Sequence, residues 1–283
     1  MPSATIKLFL PFGDPKRLRT AEISNWSGKA IAAPRTEFDQ FLAREEMGQV
    51  GVYLLTGSDA ETGRPLAYIG EAEVLRDRLK NHRAKEFWNT VVAFLSKDQN
   101  LTKSHIRYLE GELIDAARKA GRFDVENSVS SGARLPESDA HDMEEFLVKL
   151  HQLLPVLGVE LLTPLVPTDP PDQENPLLFT GIKGLKATGR RTPDGFVVLA
   201  GSEAVLNERP GAADHGVWVV GIRAKLLTDG SLEPRGDRLV FTRDVEFKSP
   251  SGSGAVIHGG TVNGYSIWKD ASGKTLRELD ERE

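Results

Sequence analysis

Apolar positions along the first half of the chain fall into short runs separated by turn-forming clusters. Residues 51–56 and 66–70 flank a polar stretch containing Gly57, Asp59, Gly63 and Pro65, a pattern that predicts a β-hairpin. A strand is expected over residues 5–10, followed by the turn signals Pro11 and Gly13-Asp14-Pro15 and a helix over 36–46. After the hairpin the spacing predicts a helix over about residues 72–84. A β-branched buried strand follows over 89–95, and then a strongly periodic helix, capped by Thr102 or Ser104, runs to about Ala120. A further helix over 138–154 completes this part.

Between residues 163 and 177 stand Pro164, Pro167, Pro170, Pro171 and Pro176 among several carboxylates, which sustains neither a helix nor a central strand. Beyond it come short β-type runs at 195–199, 217–222 and 239–242, and a short helix whose N-cap is Ser249. The organisation expected is α+β: an N-terminal strand and helix (1–48), a sheet-and-helix domain (49–162), a linker (163–177) and a β-rich α+β domain (178–283).

Of the 283 residues 39% are apolar, and no run approaches the roughly 18 consecutive apolar residues that a membrane span requires, so no membrane association is expected. The absence of cysteine excludes disulfides, thiolate zinc sites and a cysteine nucleophile, and fits a cytoplasmic location. The net charge is −5, but residues 124–180 hold eleven acidic side chains against Arg134 and Lys149. That segment alone carries −9, leaving +4 for the remainder, and steering of a polyanion depends on local fields and not on the total.

On the helix after Ser104, at 100° per residue from Ile106, the apolar positions Leu109, Leu113, Ala116, Ala117 and Ala120 form the core face. Glu110 lies about 40° from Ile106, between it and Ile114, whereas Glu112, Asp115 and Lys119 lie opposite. A carboxylate at that position needs a cation, an arginine or a proton. On the preceding helix Arg78 and Lys85 flank the apolar stripe at whose border His82 lies, and Arg76, Lys80 and Arg83 form a separate cationic row, which reads either as a phosphate-contact surface or as a solvated face.

Gly51-Val52-Tyr53 and Tyr68-Ile69-Gly70 resemble the paired tripeptides of the GIY-YIG nucleases. The pattern continues with Arg78-Leu79-Lys80-Asn81-His82, with Glu110-Gly111-Glu112-Leu113-Ile114 and with Asn127 as the closing asparagine. Further segments, Phe87-Trp88-Asn89-Thr90, Leu135-Pro136-Glu137-Ser138-Asp139 and Asn263 to Lys269, resemble bacterial members that carry a C-terminal domain of unknown function. The resemblance implies a small antiparallel sheet flanked by helices and a metal-dependent endonuclease acting on nucleic acid, with DNA the expected partner. In it Glu110 holds Mg²⁺ or Mn²⁺, Arg78 binds phosphoryl oxygens, Tyr53 is the general base with Tyr68 the second candidate, and His82 shuttles a proton or binds phosphate. Arg76, Lys80, Arg83, Lys85 and Asn127 are the expected nucleic-acid contacts. The alternative is a non-catalytic adaptor that binds nucleic acid or protein on the same scaffold.

Other motifs fail on spacing. Gly273-Lys274-Thr275 has Trp268 where a phosphate-binding loop needs glycine, and Ile257 breaks the glycine spacing of a dinucleotide site. No HExxH pair occurs, and Ser202 lacks the second glycine of a nucleophile elbow.

Overall fold

The hairpin expected around Tyr53 and Tyr68 lies within a seven-stranded sheet. The computed structural model describes residues 3–127, 132–166, 171, 175–210 and 217–281, and divides into two compact units, Met1–Thr163 and Pro164–Glu283. The strands of the first unit are β1 (Ile6–Phe9), β2 (Arg19–Ile23), β3 (Gly28–Pro34), β4 (Gly51–Ser58), β5 (Pro65–Ala72), β6 (Trp88–Ser96) and the two-residue β7 (Asp124–Val125). They lie in the order β1-β2-β3-β6-β4-β5-β7, and every pair is antiparallel except β5 with β7. The N-terminal segment is therefore not a layer of its own, as the sequence suggested. Its strands extend the sheet because β3 pairs with β6 along seven residues.

Alternation along the strands sends side chains to two cores. Val52, Leu54, Ala67, Ile69, Val92 and Phe94 pack beneath α3 (Lys103–Ala120) and α4 (Glu137–Val156). On the opposite face, Tyr53, Leu55, Ile31, Val91 and Ala93 pack with Phe38, Phe41 and Leu42 of α1 (Phe38–Ala43) and Leu75 and Leu79 of α2 (Leu75–Lys80). The helix expected over 36–46 is thus broken into α1 between two 3₁₀ turns, Arg35–Glu37 and Glu45–Gly48.

α3 forms where the periodicity placed it. Thr102 caps it, its hydroxyl accepting from His105 N at 3.3 Å, and Gly121 ends it in the left-handed region at φ 72°. α2 is shorter than the twelve or so residues expected, because Ala72 still belongs to β5 and the chain after Lys80 tightens into i to i−3 turns. There His82 N donates to Leu79 O at 2.9 Å and Lys85 N to His82 O at 3.1 Å.

The second unit holds a four-stranded sheet, ordered β14-β10-β9-β8, and a three-stranded sheet, β11-β13-β12. These strands are β8 (Leu178–Ile182), β9 (Leu185–Thr192), β10 (Gly195–Val198), β11 (Glu203–Val205), β12 (Leu232–Arg235), β13 (Arg238–Phe241) and β14 (Val245–Phe247). The helices are α5 (Val217–Thr228), α6 (Pro250–His258), α7 (Gly264–Ile267) and α8 (Leu276–Asp280), and Phe196, Trp268 and Phe241 lie at the centre of the core. The strand expected over 217–222 is instead the first half of α5, which buries Val219, Arg223 and Leu226 at i, i+4 and i+7. Ser249 does cap α6, its hydroxyl accepting from Gly252 N at 3.1 Å. Of the Pro-rich stretch, residues 167–170 and 172–174 lie outside the described residues. The architecture is α+β, and among the described residues no helix is long and apolar enough to cross a membrane.

Candidate functional site

The two tripeptides meet through their register. Tyr53 on β4 faces Gly70 on β5, and Leu55 faces Tyr68. Gly70 leaves room that no other residue would, since a Cβ there would lie 2.4 Å from both Cζ and Oη of Tyr53. The Tyr53 ring, wholly buried, thereby lies across the neighbouring strand with its hydroxyl directed to His82.

The turns after α2 carry His82 inward, where it is 5% exposed. Tyr53 Oη and His82 Nε2 are 2.7 Å apart, and the His82 ring lies 4.7 Å from the Tyr68 ring, centroid to centroid. Burial, and then the positive charges of Arg78 and Lys85, depress the His82 pKa to about 4, so the imidazole is neutral at pH 7. Burial, and then the Tyr68 phenol, push Tyr53 well above the usual tyrosine value, with Arg78 opposing. Tyr53 Oη and His82 Nε2 share one hydrogen bond whose direction follows the imidazole tautomer, and Nδ1 is buried without a hydrogen-bond partner.

Around this dyad stand the outer groups. An Arg78 guanidinium nitrogen donates to Tyr68 Oη at 3.5 Å, and Arg78 is exposed whereas Tyr68 is half-buried. Lys85 Nζ lies 4.9 Å from the Tyr68 ring centroid and pairs with Glu126 at 2.7 Å. Asn127 accepts from Ile69 N at 3.0 Å and donates to Ile69 O at 2.6 Å, continuing the pairing of β5 two residues past β7. Its amide thus acts as a strand clamp.

Glu110 is half-buried on α3, on the other sheet face from the tyrosines. Its neighbour there is Glu71, which follows Gly70 and points, by strand alternation from Ile69, toward α3. Burial, and then the charge of Glu110, raise the Glu71 pKa above the ordinary carboxylate range. β5 therefore carries Tyr68 on one face and Glu71 on the other, with Gly70 between them. Two carboxylates are hard oxygen donors of the kind Mg²⁺ or Mn²⁺ takes alongside water and phosphate. Among the described residues no cluster of three or more His, Asp or Glu groups accompanies them.

The cationic row does not form as expected. Arg76 is committed to the backbone, donating to Leu42 O and Arg44 O at 2.8 Å each, where it ties α2 to the end of α1. Lys80 is exposed and pairs with Asp77 at 3.3 Å. Arg83 lies beyond the end of α2, pairs with Asp39 and covers the Phe38 ring. The sequence reading had no role for Glu71 or Glu126. Period-2 alternation from Ile69 carried the signal for Glu71, and Glu126 directly follows β7, a two-residue strand too short to read.

Comparison with known proteins touches only the second unit. Residues 177–280 match the family model described as a domain of unknown function (DUF4357). No curated protein and no solved structure matches the chain. The DUF4357 match spans β8 to α8 and leaves the Tyr53–His82 cluster outside it.

Proposed function

We propose that the protein is a divalent-metal-dependent nuclease of the GIY-YIG type that hydrolyses phosphodiester bonds in DNA. The observation that carries this is the convergence of Tyr53, Tyr68, Arg78 and His82, from two strands, α2 and the turn after it, into one hydrogen-bonded and ring-packed group. Arg78 and Lys85 supply positive charge at the exposed side, where a phosphate would bind. Tyr68 is the accessible phenol and orients the attacking water. Its neighbour Tyr53, wholly buried and strongly protonated, holds Tyr68 and His82 in place through ring packing and the Oη–Nε2 hydrogen bond.

Glu110 and Glu71 would hold the metal ion, whose charge relieves their repulsion. When bound, such an ion lowers the pKa of a coordinated water and stabilises negative charge on the phosphate. A second reading, a binding adaptor on the same scaffold, draws on the complete burial of Tyr53 and on the commitment of Arg76 to backbone carbonyls. Incubation with mixed duplex, nicked, branched and single-stranded DNA separates the two: a nuclease cleaves with Mn²⁺ and stops with chelator, whereas an adaptor binds in both and cleaves in neither.

A further inference from the structure

We propose that the outer edge of the seven-stranded sheet is a stacking surface for unpaired bases of DNA, with Phe9 and Phe12 as platforms and Lys7, Lys16 and Arg17 as a cationic border. The proposal rests on the nuclease reading for its choice of DNA, and it adds a substrate class: DNA with a single-stranded stretch beside the cleaved bond.

Sheet edges are normally blunted by charge, proline or a covering segment. Here β1 and the turn after it expose Phe9 at 63%, Phe12 at 47% and Leu8 at 43%. Three large apolar side chains within five residues of an open edge mark a contact surface. The Arg17 guanidinium lies over the Phe12 ring, 4.1 Å from its centroid, and also pairs with Glu37. Lys7 and Lys16 are exposed and have no ion-pair partner among the described residues. The one acid in the stretch, Asp14, accepts from Lys16 N at 2.8 Å. Aromatic rings bordered by cations fit the π-faces and phosphates of a single strand, whatever its sequence. A second copy fits less well, because a two-fold contact sets this patch against itself and brings like charges together.

The register ties this edge to the proposed catalytic group. Phe9 faces Thr20, Thr20 faces Ile31, Ile31 faces Ala93, Ala93 faces Tyr53, and Tyr53 faces Gly70. Phe9 and Tyr53 therefore stand in one cross-strand row on one sheet face, four strand spacings of about 4.8 Å apart, or roughly 19 Å. A strand with its bases stacked at about 3.4 Å per step needs about six nucleotides to span this, and more to pass round the α1 layer that covers Ile31 and Ala93 in the middle of the row.

The test measures binding of the full chain to fluorescein-labelled DNA by anisotropy, in chelator so that nothing is cleaved. The probes are a 20-nucleotide single strand, a duplex, and duplexes with overhangs of three, six and ten nucleotides. The wild type is expected to bind the single strand and the ten-nucleotide overhang more tightly than the three-nucleotide overhang or the duplex. Phe9→Ala with Phe12→Ala should weaken single-strand binding about tenfold, and Phe9→Trp with Phe12→Trp should restore it. Equal affinity in wild type and the alanine variant overturns the proposal. So does a concentration-dependent dimer in sedimentation that the alanine variant abolishes, since the edge would then be a self-association surface. Failure of the nuclease reading is distinguishable, because it appears as absent cleavage in Mn²⁺ and leaves this metal-free binding result untouched.

Discussion

His82 is the residue on which the proposed chemistry turns, and its burial gives it a measurable signature. Its pKa is depressed to about 4 in the folded protein against about 6.5 for an ordinary histidine. A group shifted in this direction contributes stability that is fully present above the unfolded value and lost as pH falls through the folded value. The wild type should therefore lose up to about 3 kcal/mol of unfolding free energy between pH 6.5 and pH 4 from this group, at 1.36 kcal/mol per unit. Urea denaturation at the two pH values checks this. His82→Phe should be less stable at pH 7, because Tyr53 loses its hydrogen-bond partner, and should lack this part of the acid dependence. If the variant retains the full acid dependence, His82 is not the buried neutral imidazole described. At this scale the sequence was only partly legible. Helical phasing placed His82 beside the apolar stripe, but its inward direction comes from 3₁₀ turns that a wheel does not represent.

Among the elements, the β4–β5 pair holds the site, and Gly70 is where its geometry is least tolerant. A methyl group at Gly70 collides with the Tyr53 phenol, which is packed on all sides and has no room to retreat. Gly70→Ala should destabilise the protein by about 1–3 kcal/mol, the range for overpacking, and should impair cleavage further than that loss explains. Gly48→Ala, where an added Cβ meets nothing within 4 Å, is the control and should leave both unchanged. A Gly70→Ala protein with normal melting and activity would show that Tyr53 does not need its present position. The hairpin and α3 were legible because apolar period and capping residues agree there, Thr102 and Gly121 bounding α3 on either side. α5 was not, since Val217, Trp218, Val219 and Val220 are apolar on every side and show no helical period. Its buried polar member, Arg223, is 1% exposed and donates to Val256 O, Val205 O and Leu206 O at 2.6 to 2.9 Å. This is a tertiary anchor with no local sequence signal.

For the molecule as a whole, the division into units separates the proposed chemistry from the DUF4357 match. Every residue of the Tyr53–His82 cluster, with Glu71 and Glu110, lies in Met1–Thr163, which has its own sheet and two cores. A fragment of residues 1–163 should fold cooperatively and bind Mn²⁺ as the full chain does, by calorimetry; loss of binding would place part of the metal site beyond residue 163. The extent of the sheet was the feature least visible in the sequence, because β3 reaches β6 across more than fifty residues of intervening chain. The acidic segment 124–180 accounts for the negative net charge, and within it Glu126 pairs with Lys85, the lysine beside the Tyr68 ring.

Cleavage of DNA in Mn²⁺ by wild type, Glu110→Gln and Glu112→Gln tests the central claim most directly. Glu110 and Glu112 are two residues apart on α3, the first half-buried beside Glu71 and the second exposed. The account predicts Mn²⁺-dependent cleavage by the wild type, a fall of about a hundredfold or more in Glu110→Gln with the fold intact, and little change in Glu112→Gln. Absence of wild-type cleavage on every DNA structure, or equal activity in the two variants, would contradict it.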